Sequence, residues 1–362
     1  MEWRQGATGI GPVRTAQSFR SAPRRSKDRI KPPAAEVDVL LTSADAPQVS
    51  VIVSNNNGEA FLRPCLQSLA VALTGIAHEI IVVDNASSDA SCDMVSREFP
   101  HVRLLRSECN LGIAGGSNLG ARHARGELLL LLGPDTQCQG SLANLVAVMR
   151  DRSLGAAGCM LRYADGRVRP SIGFEHTPLR VVLSWLGLAR FARAGRCFKR
   201  VESRAEFYQH FRSEIDWVSG ACLLTRRLLW KRLGGFDESF FMACEDIDYC
   251  RRVRQAGYSI AYAPASAVMH YEATGRTWAL ETLLLRTSRS YLLYMSKHFG
   301  TGVRTLVGLG LGAVFLARSA CYALASLDRA NRLAREKFRA YARAAVFLFG
   351  AGIGLRKPGS SI

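Results

Sequence analysis

The sequence predicts an α/β domain, a mostly parallel central sheet flanked by helices, with a helical extension toward the C-terminal end. Three observations support this. Short β-branched or leucine-rich runs recur between residues 49 and 132, and helical patterns separate them. Several of these runs end in Asn, Asp or Gly, as a buried strand does on meeting a ligand-facing loop. The last part of the chain changes texture, to uncharged stretches framed by arginines.

The elements follow in order. Residues 49–54 form a β-branched run that stops at Asn55-Asn56-Asn57-Gly58, and 59–73 follow with helical spacing of Phe61, Leu62, Cys65, Leu66 and Leu69. Residues 79–85 are a second buried strand, and a short helix then runs to about Phe99. A third strand is expected at 102–105, a glycine-bearing loop from Asn110, a helix over 117–125 and a fourth strand at 128–132. Beyond residue 151 the pattern is less regular. Residues 217–224 are apolar and β-like, 226–233 helical, 245–255 a helix, and 259–262 and 267–269 short strands. Residues 172–215 carry no clear period.

Charge is unevenly placed. Of a net +18, residues 277–362 supply thirteen Lys/Arg against three Asp/Glu, and residues 1–31 supply eight against two. A basic periphery around a near-neutral middle points to an anionic membrane surface rather than to a nucleic-acid groove, and no nucleic-acid module accompanies the charge. Residues 1–47 mix Arg, Pro, Ser, Gly and Ala without period and are expected to be a disordered basic arm. They lack an apolar secretory core, and the ten cysteines are scattered singly with no CxxC pair. Both features suit a reducing cytoplasm. Residues 305–317 lie uncharged between Arg304 and Arg318, and 344–355 between Arg343 and Arg356. Each is shorter than the roughly 20 residues of a spanning helix. Helices lying in a membrane interface and helices packed as core both remain open.

Four segments carry a resemblance: VSVIVSNNNG (49–58), EIIVVDNASSDAS (79–91), NLGIAGGSNLGARHARGELLLLLGPDT (110–136), and the stretch from Asp216 through WVSG, GGFD and the ED pair to His270. In this order and at these intervals the chain resembles family-two glycosyltransferases of the GT-A fold, in their rhamnosyl- and galactofuranosyltransferase-like branch. The resemblance implies a catalytic domain over 48–276, the part at 277–362 being an extension. It implies an inverting, metal-dependent transfer from a nucleotide-sugar donor, best dTDP-L-rhamnose, to a lipid-linked or surface-glycan acceptor. A UDP-linked galactofuranose or hexose donor is the alternative. A degenerate nucleotide-sugar-binding protein is the reading from another class.

The residues agree with those expectations. Asp84 ends a buried strand, and the resemblance makes it an acceptor for the nucleotide base, although an Asp there could also cap a helix. Asn55, Asn57 and Asn85 are expected to contact the nucleotide beside it. Gly115 and Asn118 belong to a glycine-bearing loop that opens a helix, where backbone amides can approach an anion. Gly133-Pro134-Asp135 stands where the family has DxD or NPD. Asp135 is retained as donor and metal ligand, while Gly133 withholds a second carboxylate or amide. Diphosphate oxygens and waters can complete the shell of a Mg²⁺ or Mn²⁺ ion bound by few protein groups, and His270 matches a family histidine that joins it. In the Glu245-Asp246 pair, Asp246 is expected to be the base that deprotonates the acceptor hydroxyl, and Glu245 to bind or orient the acceptor. Trp217 and Gly220 match the family's sugar-binding wall.

Overall fold

The computed structural model describes residues 46–187, 200–271, 279–327 and 331–352. The expected arm therefore lies outside the described residues except for its last two.

Four parallel strands form one half of a nine-stranded sheet in the spatial order β3-β2-β1-β4. They are β1 (Val49–Asn55), β2 (His78–Asn85), β3 (Arg103–Ser107) and β4 (Leu128–Leu132). Helices α1 (Glu59–Ala72), α2 (Ser91–Glu98) and α3 (Gly112–His123) connect them. Strand periodicity sends alternate residues to opposite faces. Val51 and Val53 pack with Leu62, Leu66 and Val95 of α1 and α2. Ile52, Ile81 and Val83 pack on the other side with Ala114 of α3.

The sheet continues through β10 (Cys222–Arg226), antiparallel to both β4 and β6 (Leu154–Arg162). Beyond β6 come β11 (Ser259–His270), parallel to it, and β5 (Thr136–Cys138) at the edge, with β7 (Val168–Arg169) paired to β6. A separate ladder joins β8 (Ile172–Gly173) to β9 (Trp217–Val218). The apolar run at 217–224 is thus two strands in two sheets, divided at Ser219–Ala221. The two short strands expected at 259–269 are one strand with a register shift between Ala263 and Ala267. Helices α4 (Ala143–Val148), α5 (Pro178–Trp185), α6 (Arg227–Leu233) and α7 (Glu245–Gln255) complete this part.

Helix α3 begins earlier than its sequence suggests, so Gly115 and Gly116 lie within a helix and not in a loop. The reason is close packing. A Cβ on Gly116 would meet Ser54 Oγ at 2.2 Å, and one on Gly120 would meet Ile52 Cγ2 at 2.4 Å. Glycine here lets the helix lie flush on β1 and β2, and that approach outweighs the helix-weakening tendency of the residue.

Three long helices follow: α8 (Leu280–Phe299), α9 (Thr301–Ala325) and α10 (Arg332–Gly352). They share the core of the sheet domain, where Leu284, Tyr291, Leu292, Val307, Phe315 and Leu348 join Trp217, Phe240 and Cys244 in one cluster. Arg318 does not end the apolar helix. Its guanidinium turns inward, donates to Trp185 O at 2.6 Å and lies over the Trp185 and Tyr341 rings, so α9 runs on for 25 residues. By length and composition α9 could cross a membrane. One face, with Val307, Leu311 and Phe315, packs inward, while Leu306, Leu316 and Leu324 stay 70, 55 and 72% exposed. The region is core on one face of α9 and presents an apolar surface on the other.

Candidate active site

The carboxyl ends of β1, β2 and β4, the start of α3, the Ser219–Ala221 link and the start of α7 surround a cavity of about 700 Å³. This is where a doubly wound sheet binds its ligands. Among the described residues, four non-glycine residues have left-handed backbone, Asn57, Ala86, Ala243 and Cys244, and all lie in or beside this cavity. Ala243 and Cys244, at φ 66° and 70°, set the angle at which α7 presents Glu245 and Asp246. Strain of this kind persists where the surrounding structure demands it.

Asp246 lines the cavity, and its Oδ2 accepts from Gly220 N–H at 2.8 Å while its Oδ1 accepts from Ile247 N–H at 2.8 Å. These donors and the helix start favour its anion. Burial nevertheless raises its pKa. Glu245 is buried, its Oε2 has no hydrogen-bond partner among the described residues, and its pKa is pushed up to about 8, first by burial and then by the Asp246 charge. Near neutral pH Glu245 is thus the protonated member of the pair. A protonated Glu245 can donate a hydrogen bond to an acceptor while Asp246 takes a proton from it.

This arrangement has a pH signature. Because the folded pKa of Glu245 lies above its unfolded value, its contribution to stability is full below about 4.5 and is lost as pH rises through about 8. Glu245→Gln removes the ionisation. Its melting temperature is expected to gain on the native protein by at least about 2 °C between pH 5 and pH 8.5. Parallel melting curves across that range would remove Glu245 as the protonated partner.

Helix α7 is fixed from behind by Asp248, which accepts from Arg252 at 2.8 Å, His298 at 2.7 Å and Lys297 at 2.9 Å. Against burial, the His298 hydrogen bond and the Arg252 charge hold its pKa down to about 2. What reads locally as helix-end charge is a tie between α7 and α8.

Elsewhere in the cavity, buried Asp135 lies 3.2 Å from His270 Nε2, and the other ring nitrogen of His270 meets Arg169. Gly133 adds no ligand, and among the described residues no cluster of three or more His, Cys, Asp or Glu forms. Asp135 and His270 nevertheless fit a hard cation that draws its remaining oxygens from a phosphorylated substrate and water. When bound, such an ion offsets negative charge on a departing diphosphate.

The other expected site residues divide. Asn57 and Asn85 line the cavity, as does Gly220. Asn57 Oδ1 accepts from the Ser88 and Asp89 amides and so shapes the loop after β2, while Asn85 Nδ2 donates to Ser54 and to Gly112 O. Asp84 and Asn55 are buried behind the lining. Asp84 Oδ2 accepts from Ser87 N–H, so it closes a turn and does not cap α2, which starts at Ser91. Among the described residues, no hydrogen-bond donor reaches its Oδ1 or Asn55 Oδ1. The Cys92 thiol beside Asp84 is pushed up to about 11, first by burial and then by this carboxylate.

Gly115, Asn118 and Trp217 are not brought into the cavity. Gly115 packs against Leu111 within α3. Asn118 clamps Phe236 from both sides, donating to its carbonyl at 2.8 Å and accepting from its amide at 3.0 Å. Trp217 donates to Phe174 O and stands edge-on to His176 beneath the floor. The aromatic rings that do line the cavity are Phe61 and Phe241. Arg169, Asn56 and Ser117 line it too, and sequence reasoning passed over them. Arg169 falls where the sequence pattern is irregular, and nothing local marks it.

Comparison with known proteins places the chain in a family. Residues 47–290 match the family model described as glycosyltransferase like family 2. The chain is 31% identical over 259 residues to the N-acetylglucosaminyl-diphospho-decaprenol L-rhamnosyltransferase of Mycobacterium tuberculosis, covering 66% of this chain and 81% of that one. A segment of 57 residues is 44% identical to the rhamnosyltransferase WbbL of Escherichia coli, covering 16% of this chain and 22% of that one. Among solved structures, the mannosyltransferase PcManGT of Pyrobaculum calidifontis, in complex with GDP-Man and Mn²⁺, superposes with a TM-score of 0.50 at 18% identity, covering 85% of this chain and 86% of that one. The last likeness concerns the fold, which is GT-A as the motifs implied. With two thirds of its length matched by the family model and its carboxylates gathered at the expected end of the sheet, the chain belongs to the family-2-like glycosyltransferases.

Proposed function

We propose that the protein transfers L-rhamnose with inversion from dTDP-L-rhamnose to a hydroxyl of a sugar carried on a lipid diphosphate, at the cytoplasmic face of the membrane. The observation that carries this reading is the meeting of Asp246, held by the Gly220 and Ile247 amides, with Asp135 and His270 in one cavity. Asp246 takes the acceptor proton as the hydroxyl attacks the anomeric carbon, and Gly220 N–H keeps that carboxylate aimed. Asp135 and His270 would hold a divalent ion at the donor diphosphate. Arg169, against His270, adds a fixed positive charge there. Asn57 and Asn85, which line the cavity, suit the nucleotide, with Asp84 buried behind them. The rhamnosyl donor and lipid-linked acceptor rest on the mycobacterial relative, whose activity is named for both.

A panel of dTDP- and UDP-sugars with Mg²⁺ or Mn²⁺ tests the donor, with nucleotide release as the readout. Turnover of dTDP-L-rhamnose is expected to exceed that of UDP-galactofuranose or UDP-hexoses. Preference for a UDP-sugar would replace the donor, and release from none would make the chain a binding protein.

The exposed leucines of α9 and the basic residues of α10 suit an anionic membrane surface. Because the opposite face of α9 is core, truncation would damage the fold, and surface substitution is the better test. Changing Leu306, Leu316 and Leu324 together to Gln is expected to lower co-sedimentation with anionic vesicles at least about tenfold, given the ~25 cal/mol per Å² of apolar burial. Undiminished sedimentation would place the membrane contact elsewhere.

A further inference from the structure

A second cavity, of about 470 Å³, opens between the beginning of α8 and α10. Glu281 of α8 and Arg332, Arg335, Glu336 and Arg339 of α10 line it. The three arginines fall at i, i+3 and i+7, one stripe of a helix. Glu281 is already held by Arg343 at 2.6 Å, so its charge is largely answered before any ligand arrives. Guanidinium groups arranged this way match phosphate oxygens in both geometry and charge.

Position gives the cavity its meaning. Leu283, two residues beyond Glu281, lines the catalytic cavity. Residues two apart project from nearly opposite sides of a helix, so the first turns of α8 form the wall between the two cavities. A helix with its side chains is about 10 Å across, the scale of one sugar ring with a diphosphate on its anomeric carbon. Helix α9, which joins α8 to α10 in the chain, carries the exposed apolar stripe.

We infer that the arginine-lined cavity holds the diphosphate of the acceptor's lipid carrier while the acceptor sugar reaches around α8 to Asp246. This rests on the proposed lipid-diphosphate acceptor and deepens it, since it assigns a site to the part of that acceptor that does not react. The ligand class is a diphosphate ester of a long-chain alcohol.

Farnesyl diphosphate, titrated into full-length protein saturated with dTDP to fill the donor site, tests the assignment without requiring transfer. The native protein is expected to bind it at least tenfold more tightly than inorganic pyrophosphate. The double variant Arg332→Ser/Arg339→Ser is expected to lose tenfold or more of that affinity with dTDP affinity unchanged. Glu281→Gln, which removes an anion from the wall, is expected to strengthen binding at least twofold. Equal farnesyl diphosphate affinity in the double variant and the native protein would overturn the site. Equal binding of farnesyl diphosphate and pyrophosphate, lost together in the variant, would reduce it to a general anion site and overturn the lipid assignment. The donor panel is a separate matter: absence of transfer to any lipid-linked sugar would sink the acceptor reading, while farnesyl diphosphate binding would still decide the cavity.

Discussion

Asp246→Asn is expected to lower transfer by about 10²–10⁴-fold, the usual range for loss of a general base, with donor affinity changed less than about threefold. The amide has nearly the same volume as the carboxylate but cannot take the acceptor's proton. It can still accept from one of the two amides, Gly220 or Ile247, that now hold Asp246. The other amide then faces an NH₂ group, so a modest loss of stability is expected beside the catalytic loss. Donor titration separates the two effects, because the residues proposed to hold nucleotide and diphosphate lie on β2, β7 and β11 or in the loops that follow β1 and β4, and not on α7. A variant with more than half of native turnover would take Asp246 out of the base role. An equal fall in donor affinity and turnover would make it a structural residue.

Asp135→Ala should lower kcat/KM by about 10²-fold or more, consistent with the several kcal/mol that a bound cation supplies to developing charge. Here donor affinity and turnover should fall together, unlike in the Asp246 variant. Gly133 leaves Asp135 as the only carboxylate of its motif, and His270 alone is a poor site for a hard ion. His270 would also lose the partner that orients its Nε2, now 3.2 Å from the carboxylate. Measuring Mn²⁺ binding with and without nucleotide gives a readout independent of activity. Native protein should bind the ion more tightly with nucleotide present, and the variant should show little binding in either state. Unchanged dependence on Mg²⁺ or Mn²⁺ in the variant would put the ion elsewhere.

The parts of this protein legible in the amino-acid order are those that depend on near neighbours. Continuous apolar runs define β1, β2 and β4, and the polar residues that stop them mark the ligand end of the sheet, because a buried strand tolerates Asn or Asp only where it emerges. The start of α7 at Glu245 is equally local, an apolar loop giving way to acidic residues at a helix N-terminus. The motifs, read in order, carried the family. Tertiary structure decided the rest. Asn118 and Trp217 sit in motifs but turn their polar groups to Phe236 and Phe174, 118 and 43 residues away in the chain. Arg169 carries no local signal and reaches the site only because β7 folds back beside β6 and brings it to His270, 101 residues on. The raised pKa of Glu245 follows first from burial, which no sequence window displays, and only then from the charge of its neighbour Asp246. Arg318 looks like the end of an apolar run until the Trp185 carbonyl and two aromatic rings accept it, and α9 then continues. In each of these cases the deciding energy comes from satisfying or desolvating a polar group with a partner distant in sequence, whereas the strand and helix signals arise from periodicity within a single segment.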